Sequence, residues 1–282
     1  MLEAREVNTN DLMRTVTASV QTDPGCVREA NEDSGRHINP NDPETLLLKG
    51  TLTVVADGMG GHASGEVASQ MAVDLISEIY YAHNGLSAPE ALRNAIEIAN
   101  EQIYETSMSG DEYAGMGTTV IALAVQYDTA FCAHVGDSRL YRLRGGSLEM
   151  LTSDHSQVME MVKHGVITME QARNHDDKNV ILRAVGTQPV VEVEVSNEFA
   201  ISAGDTFLLC SDGLSDMLED AEIEAILRAE TDLHTAGEKL ITAAKNNGGH
   251  DNITAGIVRI AEQNNVETGR DVRITREVEI AL

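Results

Sequence analysis

Five short acidic segments recur along this 282-residue chain: REANED at 28–33, VVADGMGGH at 54–62, HVGDSR at 134–139, CSDGL at 210–214 and GHDN at 249–252. Carboxylates gathered in one place repel and raise one another's pKa, so a site that collects them needs a positive partner. Hard divalent cations are the usual one. Asp57 and Asp212 each end an apolar, strand-like run and are followed by glycine, Asp137 lies in a turn between two such runs, and Asp251 precedes one. After Asp57 the glycines let backbone carbonyls, that of Gly58 first, approach a cation with no Cβ in the way. One Asp-Gly is an ordinary turn signal, but four aspartates at strand ends in one chain point to a shared oxygen-rich site. Such a site suits Mg²⁺ or Mn²⁺ and not structural zinc, which takes Cys and His. Arg28, beside Asn31, Glu32 and Asp33, can grip two phosphate oxygens with parallel hydrogen bonds. Taken alone it would be a surface ion pair with Glu29 or Glu32. Together these residues suggest a metal-dependent hydrolase working on phosphate.

Composition narrows the choice. The formal charge of −26, from 20 basic and 46 acidic residues, argues against nucleic acid or an anionic membrane as partner, because both need a positive face. Hydrophobic residues make up 42% and Trp is absent, so the core must rest on Val, Ile, Leu, Ala and Met. Cys26, Cys132 and Cys210 form no zinc-like spacing and suit a reduced, cytoplasmic protein. No run resembles a leader or a membrane span.

The elements that must position these residues follow from periodicity. Strands are expected at 14–21, 51–57, 117–126, 129–136, 139–144, 147–152, 190–196, 205–213 and 252–260. The pairs around Tyr127–Asp128 and Gly145–Gly146 read as hairpins. Helices are expected from Gly65 or Glu66 to Ala82, over 88–107 with Ser87 as N-cap, and over 219–230 and 234–247. Residues 24–45 read as a loop, and 155–186 as a flap of short polar helices. Residues 1–13 read as frayed, 14–260 as one catalytic domain, and 261–282 as a tail or an extra edge strand. Hairpins interrupted by helix pairs favour an α+β fold of stacked antiparallel sheets over a doubly wound parallel sheet.

REANED, DGMGGH, GTTV, GDSR, SDGL and HDN, in this order, resemble the metal-dependent serine/threonine protein phosphatases of type 2C in their bacterial form, from about residue 14 to 260. The resemblance implies an α/β/β/α sandwich, two central antiparallel sheets flanked by antiparallel helix pairs, with 155–186 as a flap bearing on substrate choice. It implies two core Mn²⁺ or Mg²⁺ ions, with Asp57 bridging them, the Gly58 carbonyl on the second, and Asp212 and Asp251 on the first. Asp33, with Glu32, would act through metal-bound waters, Asp137 with Asp212 would hold a third, weaker ion, Arg28 would bind phosphate, and Asn252 would support the ligands. It further implies attack of a metal-bridging hydroxide on phosphoserine or phosphothreonine without a phosphoenzyme. Phosphorylated proteins, among them a Ser/Thr kinase and its substrates, would be the partners of a monomeric enzyme. Met59 stands where animal members carry a proton-donating His, and His62 lies three residues on, so the general acid has no assigned residue. A non-catalytic member of the fold, a phosphatase of anti-sigma antagonists and a Ca²⁺-binding structural protein are the competing readings. The full carboxylate set opposes the first, the lack of sensor or membrane segments the second, and motifs scattered over ~200 residues, unlike a compact calcium loop, the third.

Overall fold

The computed structural model describes residues 14–60, 64–82 and 85–261. In chain order it holds β1 (Thr15–Asp23), β2 (Asp33–Ile38), α1 (Pro43–Lys49), β3 (Thr51–Met59), α2 (Ser64–Ala82), α3 (Ala88–Ser107), β4 (Gly117–Thr118), β5 (Val120–Gln126), β6 (Thr129–Val135), β7 (Arg139–Arg144) and β8 (Ser147–Met150). There follow α4 (Gln157–Lys163), α5 (Met169–Arg173), β9 (Glu194–Val195), β10 (Phe199–Ala200), β11 (Thr206–Cys210), α6 (Asp212–Ser215), α7 (Asp220–Ala229), α8 (Leu233–Asn246) and β12 (Ile253–Ala261). One sheet runs β1-β12-β11-β7-β8 and the other β10-β6-β5-β3-β2, with β4 on β3 and β9 on β6. Every strand pair is antiparallel.

Period-two alternation divides each strand's side chains between two cores. On β3, Leu52, Val54 and Ala56 join α2 and α3, while Val55 turns toward the other sheet. On β5, Val120, Ala122 and Ala124 face those helices, and Ile121, Leu123 and Val125 face inward between the sheets. The second sheet mirrors this: Leu208 and Cys210 of β11 and Ile253, Ala255 and Ile257 of β12 pack with α7 and α8, whereas Phe207, Leu209, Val258 and Ile260 fill the space between the sheets. The result is the α/β/β/α sandwich. Central strands are covered on both faces and so read as unbroken apolar runs.

Several local expectations need correction. Residues 24–45 are not all loop. β2 is polar because it is an edge strand paired only with β3. α1 starts because Asp42 accepts the Thr45 amide at 2.8 Å and Pro43 fits the first turn. The 117–126 strand breaks at Thr119, whose amide donates to the Asp57 carbonyl (2.8 Å) instead of continuing a regular ladder. Only Glu194–Val195 of 190–196 is strand. β8 stops at Met150, and β11 stops at Cys210. Asp212 therefore opens the short helix α6 instead of ending a strand. The hairpin at 127–128 holds: Tyr127 takes φ +57°, the left-handed turn conformation. The flap contains α4 and α5, capped by Ser156 and Thr168. His62, residues 1–13 and the expected tail strand beyond Ala261 lie outside the described residues.

Candidate active site

Strand register brings the acidic segments to one end of the sandwich. Asp33, the first residue of β2, pairs directly with Asp57 on β3. In the other sheet Arg139 opposes Cys210, which places Asp137, just before β7, beside Asp212, just after β11. β1 ends where β12 begins, Asp23 opposite Ile253, so the Arg28 loop meets Asp251 and Asn252.

The electrostatics show the carboxylates sharing one space. Burial, then the charges of Asp33, Asp212, Asp137 and Asp251, push the Asp57 carboxyl well above the usual carboxylate range. Burial, then Asp137, Asp216, Asp251 and Asp33, do the same to Asp212. Asp33 is pushed up to about 6, mainly by burial, against the opposing hydrogen bonds of Thr254 and Ser211. Asp137 also rises to about 6, through burial and then Asp154. Two buried oxygens, Asp33 Oδ1 and Asp212 Oδ1, have no hydrogen-bond partner. A buried acceptor without a donor is costly, and a hard divalent cation would satisfy both. Gly58 fits the same purpose: a Cβ there would lie 2.2 Å from the Gly65 carbonyl oxygen and 2.4 Å from that of Glu32. No side chain can occupy this cradle. The donor set is oxygen throughout, as Mn²⁺ or Mg²⁺ requires.

The supporting residues divide by task. Asp33 Oδ2 accepts from Ser211 Oγ (2.7 Å) and Thr254 Oγ1 (2.6 Å), which aims Oδ1 into the cluster. The Thr118 hydroxyl donates to the Asp57 carbonyl (2.9 Å), and the Asp57 amide donates to Thr119 Oγ1 (3.2 Å). Sequence reading assigns no role to Ser211, Thr118 and Thr119, though they stand within CSDGL and GTTV, nor to Thr254. Their signal was adjacency to an acidic or glycine motif, which small hydroxyl residues give everywhere. The Glu32 carboxylate packs against the first turn of α2 and accepts the Gly65 amide. Asn252 holds the 24–32 loop, accepting from the Glu32 amide (2.8 Å) and donating to the carbonyls of Pro24 (3.1 Å) and Ala30 (2.9 Å). Asn252→Ala should therefore lower stability by about 2–3 kcal/mol through orphaned backbone groups, checked by thermal unfolding, and raise KM by loosening the loop that carries Arg28. Arg28 itself donates to Asp251 Oδ2 at 2.7 Å, not to Glu29 or Glu32, and its side chain is 51% exposed at the rim.

A second grouping has tighter geometry. One donor atom from each of His134, His155 and Glu194 lies within 4.8 Å of the others, the single such trio among the described residues. Its hydrogen bonds argue against a cation. The Gly136 amide donates to His155 Nδ1 (3.2 Å), which places the ring proton on Nε2, facing Glu194 Oε2 at 3.1 Å. The lone pair a metal would need is taken, and the Arg183 guanidinium stands 3.3 Å away.

The comparisons with known proteins agree with this geometry. Residues 45–246 match the family described as Protein phosphatase 2C. The serine/threonine phosphatase stp of Listeria welshimeri is 40% identical over 90% of this chain and 98% of its own. Stp1 from Staphylococcus aureus superposes with a TM-score of 0.80 at 34% identity, covering 93% of this chain and 100% of that one. The catalytic domain of serine threonine protein phosphatase PstP, solved in complex with two manganese ions, gives 0.77 at 33% identity over 89% of this chain and 100% of its own. With the family match spanning residues 45–246 and a relative 40% identical over 90% of the chain, the chain belongs to the protein phosphatase 2C family.

Proposed function

We infer that this protein removes phosphate from phosphoserine and phosphothreonine in proteins, and that the converging carboxylates with their two orphaned oxygens are its metal centre. That convergence carries the reading. Asp57, the Gly58 carbonyl, Asp212 and Asp251 would hold two Mn²⁺ or Mg²⁺ ions, Asp33 would support them, and Asp137 with Asp212 would take a third. When bound, such ions supply Lewis acidity that activates water and neutralises charge on a phosphoryl group. The protein's own part is binding and orientation. Arg28 presents its guanidinium at the rim for the phosphoryl oxygens, and Asn252 fixes the loop that carries it. Cys132 and Cys210 do not serve as nucleophiles: burial pushes both thiols up to about 12, so neither is a thiolate at neutral pH. Neither buried thiol therefore offers a route through a cysteinyl intermediate.

Release of inorganic phosphate from a phosphothreonine peptide tests the assignment. It should require Mn²⁺ or Mg²⁺; no release with either ion would refute it. Arg28→Ala should raise KM for the peptide about 10- to 100-fold, as loss of charge-assisted hydrogen bonds implies. Manganese affinity should hold or improve, because Asp251 then loses a competitor. Unchanged kcat/KM would remove Arg28 from the site. Phosphorylated proteins, including a Ser/Thr kinase and its targets, are the proposed partners of a monomeric, cytoplasmic enzyme. No helix among the described residues is long and apolar enough to cross a membrane.

A further inference from the structure

The His134–His155–Glu194 cluster lies at the root of the flap, and nothing in the hydrolytic chemistry above uses it. Its contacts point at Asp137. Gly136, the residue before Asp137, has φ +108°, and a Cβ there would meet Thr119 Cγ2 at 2.6 Å. Both backbone polar groups of Gly136 are taken by one residue: its amide donates to His155 Nδ1 (3.2 Å), and its carbonyl accepts from the His155 amide (2.9 Å). On the other flank of Asp137, Arg139 donates from Nε to Asp154 Oδ1 (3.0 Å) and from Nη2 to Asp154 Oδ2 (2.7 Å), a largely buried pair. Consecutive flap-root residues, Asp154 and His155, thus hold both sides of the turn that carries Asp137. The His155 ring is itself held by two neighbours: Glu194 accepts its Nε2–H, and His134 stacks on it with ring centres 4.5 Å apart. Its backbone carbonyl accepts from the Leu182 amide of the flap (2.7 Å).

We propose that His155 is a positioning residue that sets the Gly136–Asp137 turn from the flap root, and so sets the carboxylate offered to the third cation. The proposal rests on Asp137 being a ligand of that cation. An imidazole bonded through Nδ1 to a backbone amide and through Nε2 to Glu194, and stacked on His134, is confined to one orientation. The turn inherits it, because Gly136 has no side chain of its own to hold it in place. The flap and the third site then move as one unit: a shift of the flap root moves Asp137.

Side-chain geometry supplies the test. The Asn carbonyl oxygen falls where His Nδ1 lies, so His155→Asn keeps an acceptor for the Gly136 amide. The longer Gln reaches toward the Nε2 position, near Glu194, and does not. Manganese titrated into the full-length metal-free protein by calorimetry reads each site without turnover. The weakest site should weaken at least tenfold in His155→Gln and His155→Leu, and stay within about threefold of the parent in His155→Asn. The two tighter sites should be unchanged in all three, with thermal midpoints of Asn and Gln proteins alike. Asn and Gln proteins that bind manganese equally, whether at parental strength or weakly, overturn the proposal, and this contrast stands even if the Leu protein fails to fold. Asp137→Asn separates the two layers of the argument. If it keeps the full manganese stoichiometry, the third-site reading fails and the latch with it. If it loses a site while His155→Gln does not, the latch alone fails.

Discussion

Asp57→Asn should reduce manganese-dependent phosphate release on the order of a thousandfold or more, the largest loss expected from any single substitution in this chain. The argument is positional. Asp57 lies among four other carboxylates, those of Asp33, Asp137, Asp212 and Asp251. It comes off β3 opposite Asp33, with its backbone clamped on both sides by Thr118 and Thr119. An isosteric amide keeps that clamp and removes one negative charge at the centre of the site. In the proposed metal centre the charge lost would serve two cations at once, and losing a stabilising group in a preorganised, low-dielectric site typically costs ~10²–10³ in rate. Asp74 is a suitable control: it is exposed and ion-paired with Arg36 at 2.6 Å, away from the cluster. Asp74→Asn should fall within about fivefold of the parent. Phosphopeptide kinetics at saturating manganese decide the matter, and an Asp57→Asn protein that retains a tenth of parental kcat would remove Asp57 from the bridging role.

How much of this was legible in the sequence depends on whether a residue's role is local or set by register. Asp57, Asp137, Asp212 and Asp251 could be picked out because each adjoins an apolar strand-like run and a turn. The unbroken apolar runs of β3, β5, β11 and β12 likewise announce buried strands. What sequence could not give is who stands opposite whom. Asp33 faces Asp57 only because β2 pairs β3 in that register, yet DSGRHI has too few apolar residues to read as a strand at all. Asp212 was expected at a strand end, but the chain turns into α6 one residue after Ser211, since Ser211 must reach Asp33 and the Thr254 amide. Arg28 and Glu32 show the same limit. Taken alone, Arg28 reads as a surface pair with Glu29 or Glu32, whereas Asp251, more than 200 residues away, is its partner, and the first turn of α2 receives the Glu32 carboxylate. The His155 latch carried no pattern, because its partners Gly136 and Glu194 lie 19 and 39 residues away on different elements.

The mutual repulsion of these carboxylates predicts an inverted pH response in the absence of metal. In EDTA, Asp57→Asn should melt several degrees higher than the parent at pH 7.5, and the gap should close toward pH 5. The sign follows from linkage. Asp33 and Asp137 have folded-state pKa values of about 6 against an ordinary 3.8, so the folded protein holds protons that the unfolded chain has released. A raised carboxylate pKa is a penalty on folding, complete above about pH 6 and relieved as pH falls from there toward 3.8. At roughly 1.4 kcal/mol per pKa unit, one such group costs about 3 kcal/mol at neutral pH, and the groups interact, so removing the central charge lightens several of them together. For a chain of this size about 2–4 °C accompanies each kcal/mol. His37, His134 and His155, held neutral by burial, act in the opposite direction as pH falls. They are common to both proteins, which is why the difference between the two, and not the parent's own curve, is the quantity to measure. Manganese should then reverse the order at pH 7.5. It stabilises the parent by about 2.7 kcal/mol at a hundredfold excess over Kd, while the variant, lacking the shared ligand, gains far less. EDTA-treated parent and variant with superimposable melting curves at pH 7.5 would mean that these carboxylates do not share a space, and the metal centre would go with them.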